Sequence, residues 1–324
     1  KPLLILENGV TYNYKSLKNK SSQIAALFKS INILPGYRIS VQVDKSPDSL
    51  FLYLACLQGG YIYHPLNPSY TANELEFFIG NAEPSIIICD VMNLPIFENL
   101  AKKNNIKHVF TLGVSGEGTL IDSLDYSAIN FQTFNTPINH IAALLYSSGT
   151  TGTPKGVPRS HNLWITMAKA AYHLANTQKG DILLNPFPLV NMASIGGFLF
   201  NWLICKGKLI QHHPFDLNIY LNQLSEEQVN YTIAAPAIMN MLLNNTPLFE
   251  NLDLSKLRSI GCGGAPLSEW MVKNFQENHD ITIQNIFGSN EGMTLLSTRD
   301  DVEDAKLRAV YFPRFGAVSY THLR

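Results

Sequence analysis

Ile141-Ala142-Ala143-Leu144-Leu145-Tyr146 runs without interruption into Ser147-Ser148-Gly149-Thr150-Thr151-Gly152-Thr153-Pro154-Lys155-Gly156. The apolar half reads as a buried strand. The second half reads as a loop with the composition needed to grip a polyphosphate. Gly149, Gly152 and Gly156 let backbone N–H groups come close to an anion; Ser147, Ser148, Thr150, Thr151 and Thr153 add hydroxyl donors; Lys155 adds positive charge. The pattern GxxxxGK[ST] requires Gly directly before the Lys and Ser or Thr directly after it. Here Pro154 precedes Lys155 and Gly156 follows it, so a P-loop kinase or GTPase is excluded. A ligand-free surface loop could be as rich in hydroxyls, but nothing would impose this order on it.

Outward from that junction the chain alternates strands and helices. Leu3 to Leu6 and Val10 to Tyr12 read as a hairpin about Asn8-Gly9. A helix carrying Leu17, Ile24, Ala25, Leu27 and Phe28 follows, stopped by Pro35-Gly36 before the strand Ile39 to Val43. Ser46 to Leu57 is a second helix, Ile62 to Leu66 a short apolar run, Ala72 to Gly80 a third helix and Ser85 to Cys89 a strand. Beyond the loop, Leu163 to Leu174 reads as helix, and Asp181 to Asn185, Val229 to Ala234, Leu257 to Cys262 and Thr282 to Phe287 as strands. Such alternation predicts parallel sheets in an α/β fold.

Composition narrows the function. The chain has 324 residues, is 46% hydrophobic and carries a formal charge of −1, enough apolar residues for a large core and no charge excess to attract nucleic acid or an anionic membrane. The expected partner is a small molecule. Cys56, Cys89, Cys205 and Cys262 form no CxxC pair, so their spacing implies neither a zinc site nor a disulfide framework. Apolar stretches such as Ile195 to Ile204 are shorter than the roughly 20 residues that span a bilayer. The histidine pair His212-His213 lacks a ligand pattern and is expected at the surface.

The segment Tyr146 to Gly156 resembles the phosphate-binding loop of the adenylate-forming superfamily of acyl-CoA synthetases, luciferases and nonribosomal peptide adenylation domains, which reads close to [YF][ST]SGTTGxPKG. Two later segments resemble that family's motifs in the right order. Gly263-Gly264-Ala265-Pro266-Leu267 is similar to its GGAPL turn, which packs on adenine and one wall of the acid pocket. Phe287-Gly288-Ser289-Asn290-Glu291-Gly292 is similar to its aromatic-Gly-x-Thr-Glu motif, whose ring stacks on adenine and whose Glu holds magnesium; Asn290 departs from the usual Thr. Gly9 to Tyr12 and Gly59 to Tyr70 resemble structural landmarks, His64 and Tyr70 among them needing no catalytic role. In Phe187-Pro188-Leu189-Val190-Asn191-Met192, Asn191 stands where the family often has a pocket His.

The resemblance implies the large N-terminal domain of an adenylate-forming fold, doubly wound sheets flanked by helices. It implies an enzyme that activates a carboxylic acid with ATP and Mg²⁺ as acyl-AMP, releases pyrophosphate and passes the acyl group to CoA or to the phosphopantetheine of an acyl carrier protein. Lys155, Asn290 and Glu291 are the expected catalytic residues. ATP and AMP would be bound by Ser147, Ser148, Gly149, Thr150, Thr151, Gly152, Thr153, Lys155, Gly263, Gly264, Ala265, Pro266, Phe287 and Gly288, magnesium by Glu291 and Thr150, and the acid by Asn191, Met192, Cys262 and Ser289. The region Leu189 to Leu203 has no acidic residue to hold a substrate ammonium, which disfavours an α-amino acid. An aryl-acid ligase feeding a carrier protein, and a non-catalytic nucleotide-binding module, are the alternatives. Absent disulfide patterning and the resemblance together give a cytoplasmic expectation. Beyond Glu291 the family's TGD segment, hinge, β-barrel part and C-terminal domain with its lysine are not found. The expected organisation is therefore an incomplete AMP-binding domain of two α/β subdomains over residues 1–317, with a non-family tail over 318–324, inactive alone in thioester formation.

Overall fold

The computed structural model describes residues 4–6, 10–147, 152–244, 252–291 and 294–312. They form the expected α/β fold, two mixed sheets flanked by helices. The chain divides into two compact units, one centred on Tyr12–Trp164 and the other on Ile165–Phe187 with the residues after Met192. Strands β1 (Leu4–Leu6) and β2 (Thr11–Tyr12) are neighbours in the sheet of the second unit, as a hairpin requires, and the Asn8-Gly9 turn lies outside the described residues.

In the first unit, β3 (Arg38–Gln42) lies between β4 (Ile62–Pro65) and β5 (Ile86–Cys89). Strand β6 (His108–Thr111) flanks β5, and β7 (Ile141–Ser147) followed by β8 (Lys155–Ser160) extends the sheet beyond β4. Neighbours run parallel except β7 and β8, which pair antiparallel. Three helices here begin on capping boxes: Asn13 with Ser16 for α1 (Tyr14–Ser30), Ser46 with Ser49 for α2 (Pro47–Gly59) and Thr71 with Glu74 for α3 (Ala72–Ala82). Each cap side chain accepts an N–H three residues on, while the partner side chain accepts the cap's own N–H, so two orphan donors are satisfied together. Pro47 enters the first turn of α2, where no N–H is needed, and that helix stops at Gly60 in the left-handed region, φ +69°. Helix α3 and α4 (Leu94–Lys103) bury Leu75, Phe78, Ile79, Phe97 and Leu100 against Ile87 and Cys89 of β5.

The second unit carries β9 (Ile182–Asn185), β10 (Lys208–Gln211), β11 (Tyr231–Ala234), β12 (Ser259–Gly263), β13 (Thr282–Gly288) and β14 (Thr294–Ser297). With β1 and β2 they make an eight-stranded sheet in the order β14-β13-β12-β11-β9-β10-β1-β2. β13 and β14 pair antiparallel, whereas the successive pairs from β13 through β12, β11, β9 and β10 to β1 are parallel. One face of β12 and β13 sends Ile260, Cys262 and Ile283 into a core with Met271, Val272 and Phe275 of the helix Glu269–His279.

The apolar run Ile195 to Ile204 lies in a π-helix, Ala193–Phe200, continued by a helix over Asn201–Cys205. Among the described residues no helix is long and apolar enough to cross a membrane. All four cysteines are buried and free.

Candidate active site

Both sheets are parallel up to one side, where the chain turns back as an antiparallel hairpin. Each hairpin begins at the carboxyl end of a parallel strand, the end at which α/β sheets present ligands. The predicted motifs sit on these two hairpins and on the turn beside the second.

In the first hairpin, Ser147 ends β7 and Lys155 begins β8, and the register sets them opposite each other, with Tyr146 opposite Gly156. Lys155 and Gly156 thus stand on a strand, a correction to their reading as loop residues. The strand is viable because it is an edge: Pro158, which lacks a ladder donor, is tolerated there, while Val157 and Arg159 alternate inward and are buried. The Arg159 guanidinium lies 4.8 Å from the centre of the Trp164 ring, a buried cation that sequence reasoning missed. Lys155, Gly152 and Thr153 are exposed, Ser147 is half-buried, and Gly152 takes the left-handed conformation at φ +82°. Ser148, Gly149, Thr150 and Thr151 fall outside the described residues.

At the second site, Gly263 closes β12 beside Ile286 of β13. A Cβ on Gly263 would lie 2.0 Å from the Ile286 carbonyl oxygen, so no side chain fits, and Gly264 follows at φ +86° in open space. Ala265 and Pro266 are exposed, Leu267 is buried as an anchor, and the Ser268 side chain caps the next helix by accepting the Met271 N–H. One residue past Ile286, Phe287 is 47% exposed, with Gly288 exposed behind it. Ser289, Asn290 and Glu291 then enter the connection to β14, Asn290 half-buried and Glu291 exposed. The structure thereby brings Gly263 to Pro266 and Phe287 to Glu291 to the ends of neighbouring strands.

Other predicted positions fare differently. Cys262 has no exposed surface and belongs to the core behind β12, where burial pushes its thiol up to about 12. It is therefore a packing residue and not a wall of an acid pocket, because strand alternation turns it to the opposite face from Gly261 and Gly263. Asn191 is half-buried, and Met192 is buried just before the π-helix. His64 is buried as a packing residue; Ser40 Oγ lies 2.7 Å from its Nδ1, and burial together with the Arg38 charge lowers its pKa to about 3. His212 is fully buried, contrary to its expected surface position, and His213 is half-buried. The His212 Nε2 accepts the Asp216 N–H at 3.0 Å, so Nδ1 carries the proton and donates to Gln223 Oε1 at 2.8 Å. This ring braces the start of the helix Leu217–Glu226, a tertiary role that the sequence does not advertise.

A polar cleft of about 270 Å³ opens at the amino ends of β12 and β13, lined by Arg258, Ser259, Gln284 and Arg299 among others. None of the predicted site residues lines it. Arg258 is already paired with Asp181 and Arg299 with Asp280, and Asp300 and Asp301 line the cleft beside them. Among the described residues no group of three or more His, Cys, Asp or Glu could hold a metal ion.

A fold of two mixed α/β sheets flanked by helices, with a Gly/Ser/Thr-rich, Lys-containing segment after a parallel strand, is that of the adenylate-forming class. The family model for AMP-binding enzymes matches residues 1–318, and the chain belongs to that family. It is 24% identical over 299 residues to a long-chain-fatty-acid–CoA ligase from Mycobacterium tuberculosis, covering 91% of this chain and 59% of the relative. With 4-coumarate–CoA ligase 3 of Arabidopsis thaliana the identity is 25% over 307 residues, covering 91% and 53%. With enterobactin synthase component E of Escherichia coli it is 23% over 324 residues, covering 96% and 60%. The chain thus spans little more than half the length of these relatives. ATP-bound MatB from Rhodopseudomonas palustris superposes with a TM-score of 0.85 at 26% identity, covering 93% of this chain and 59% of that one.

Proposed function

We propose that this chain serves an AMP-forming carboxylic acid–CoA ligase: a carboxylate attacks the α-phosphate of ATP, pyrophosphate leaves, and a thiol then displaces AMP from the acyl-AMP. The observation that carries this reading is the first hairpin, which holds an exposed Lys155 opposite Ser147 at the carboxyl end of a parallel strand, on either side of the phosphate-type loop. Lys155 and the loop N–H groups would hold the β,γ-phosphates and offset the charge of departing pyrophosphate, so that the work is positioning and electrostatics. Phe287 offers its exposed ring to adenine, with Gly263 to Pro266 beside it. Glu291 supplies one exposed carboxylate, the kind of donor set magnesium takes when phosphates and water complete its shell. The metal would neutralise the triphosphate.

Acid contacts are assigned, each by its place in a motif, to Asn191, Met192 and Ser289, and the thiol acceptor to CoA. The four free, buried cysteines fit a reducing, cytoplasmic setting. Asn290 in place of the usual Thr favours a second reading, an aryl-acid ligase that loads a carrier protein, and enterobactin synthase component E is among the similar proteins. Acid-dependent ATP–pyrophosphate exchange across fatty, short-chain and aryl acids tests both readings. Exchange with one class of acid names the substrate. ATP binding without exchange for any acid would favour a non-catalytic nucleotide-binding module.

A further inference from the structure

Strand β7 is paired in register with β4 only at Ala143 and Tyr63 among the described residues. Beyond it, residues 144–147 and their partners 155–158 form the edge ribbon of the sheet. Tyr146 braces this ribbon. Its ring meets Phe78 edge-on at 4.8 Å and His64 at 5.4 Å, and it packs on the core formed by α3, α4 and β5. Its hydroxyl donates to Asn81 Oδ1 at 2.6 Å, and Asn81 lies in the last turn of α3. The ring also runs along the second strand, since a Cβ on Gly156 would stand 3.7 Å from two of its atoms. One side chain thus links α3 to both strands that flank the phosphate-type loop. The hydroxyl is protonated at neutral pH, as for any tyrosine, and partial burial raises its pKa further.

We propose that Asn81 is a positioning residue for nucleotide binding: by accepting the Tyr146 hydroxyl it fixes the ribbon, and with it the direction in which Lys155 is presented to the triphosphate. This rests on the reading that the first hairpin grips ATP. Neither Asn81 nor Tyr146 need touch the nucleotide. Their effect comes from holding donors in place before the ligand arrives, and misplacement of such groups by about 1 Å is enough to lose much of their contribution.

Titration calorimetry with ATP and Mg²⁺ on the chain, alongside thermal melts, tests the proposal. Tyr146→Phe keeps the ring and loses the bond, and Asn81→Leu removes the acceptor; each should weaken ATP about three- to tenfold. The double variant should be no weaker than either single one, because all three lack the same bond. Asn81→Asp retains the acceptor and should bind within about twofold of the parent at high salt, where the added charge is screened. Unchanged affinity in Tyr146→Phe and Asn81→Leu, with Lys155→Ala weakened, overturns the positioning role and leaves the phosphate reading intact. Asn81→Asp as weak as Asn81→Leu also overturns it. If the parent fails to bind ATP, or Lys155→Ala binds as well as the parent, the phosphate reading falls and the proposal falls with it.

Discussion

The two edge hairpins are built alike and use their aromatic residue in opposite ways. Tyr146 is the penultimate residue of the first ascending strand, with its ring turned into the helices and its hydroxyl bonded to Asn81. Phe287, at the corresponding place on β13, keeps 47% of its surface exposed, and its recorded ring neighbour is Phe312 at 6.2 Å. Both positions are occupied by aromatics of the kind that the family's motifs specify, yet one is an anchor and the other a platform. A sequence motif gives the residue type at the end of a strand; only the packing decides whether that residue holds the protein together or faces a ligand.

Substitutions can break or sharpen this contrast. The largest effect is expected from Gly263→Ala, since the new Cβ would sit 2.0 Å from a backbone oxygen of β13. Overpacking against main chain typically costs 1–3 kcal/mol or more, so urea melts should show a loss of about 3 kcal/mol or a protein that does not fold. A stability within about 0.5 kcal/mol of the parent would mean that β12 and β13 are not held so closely. Tyr146→Ala comes next: removing a ring packed on the core should destabilise by about 2–3 kcal/mol in the same melts.

Phe287→Ala should do the reverse. Stability should stay within about 0.5 kcal/mol, as for exposed sites away from special features, while ATP affinity falls about tenfold for loss of a stacking face worth roughly 1–3 kcal/mol. A stability loss matching that of Tyr146→Ala would make Phe287 a second anchor and erase the contrast. A further effect, on pH dependence, concerns His64, beneath Tyr146. Its pKa is about 3 in the folded protein against about 6.5 when unfolded. Between those values the unfolded chain binds a proton that the folded chain does not, so stability falls as pH drops from about 6.5 toward 3. The slope approaches ~1.4 kcal/mol per pH unit at most. Urea melts of the parent and His64→Gln at pH 7 and pH 5 should differ in this dependence, and identical slopes would contradict a buried neutral imidazole.

Much of the fold could be read from residue order, because periodicity and caps act locally. Ser46-Pro47 opens α2 as expected, and the helix runs two residues past the expected Leu57 to end on the left-handed Gly60. The strand expected over Val229 to Ala234 begins at Tyr231 because the Val229 N–H closes the preceding helix on Leu224 O. An apolar residue there serves a helix end, and no window of sequence distinguishes the two uses. Strand β8 was hidden because Gly156 and Pro158 are loop signals, and only its edge position makes them tolerable. The site's residue types were legible at Lys155, Gly263, Gly264 and Phe287. Asn81, Cys262 and His212 were not, since their roles depend on which distant residues the fold brings beside them.

The central claim is that the first hairpin grips the triphosphate of ATP, and a crystal structure with ATP and Mg²⁺ tests it most directly. The account predicts β,γ-phosphate oxygens within hydrogen-bonding distance of Lys155 Nζ. A triphosphate bound away from Lys155 would contradict it.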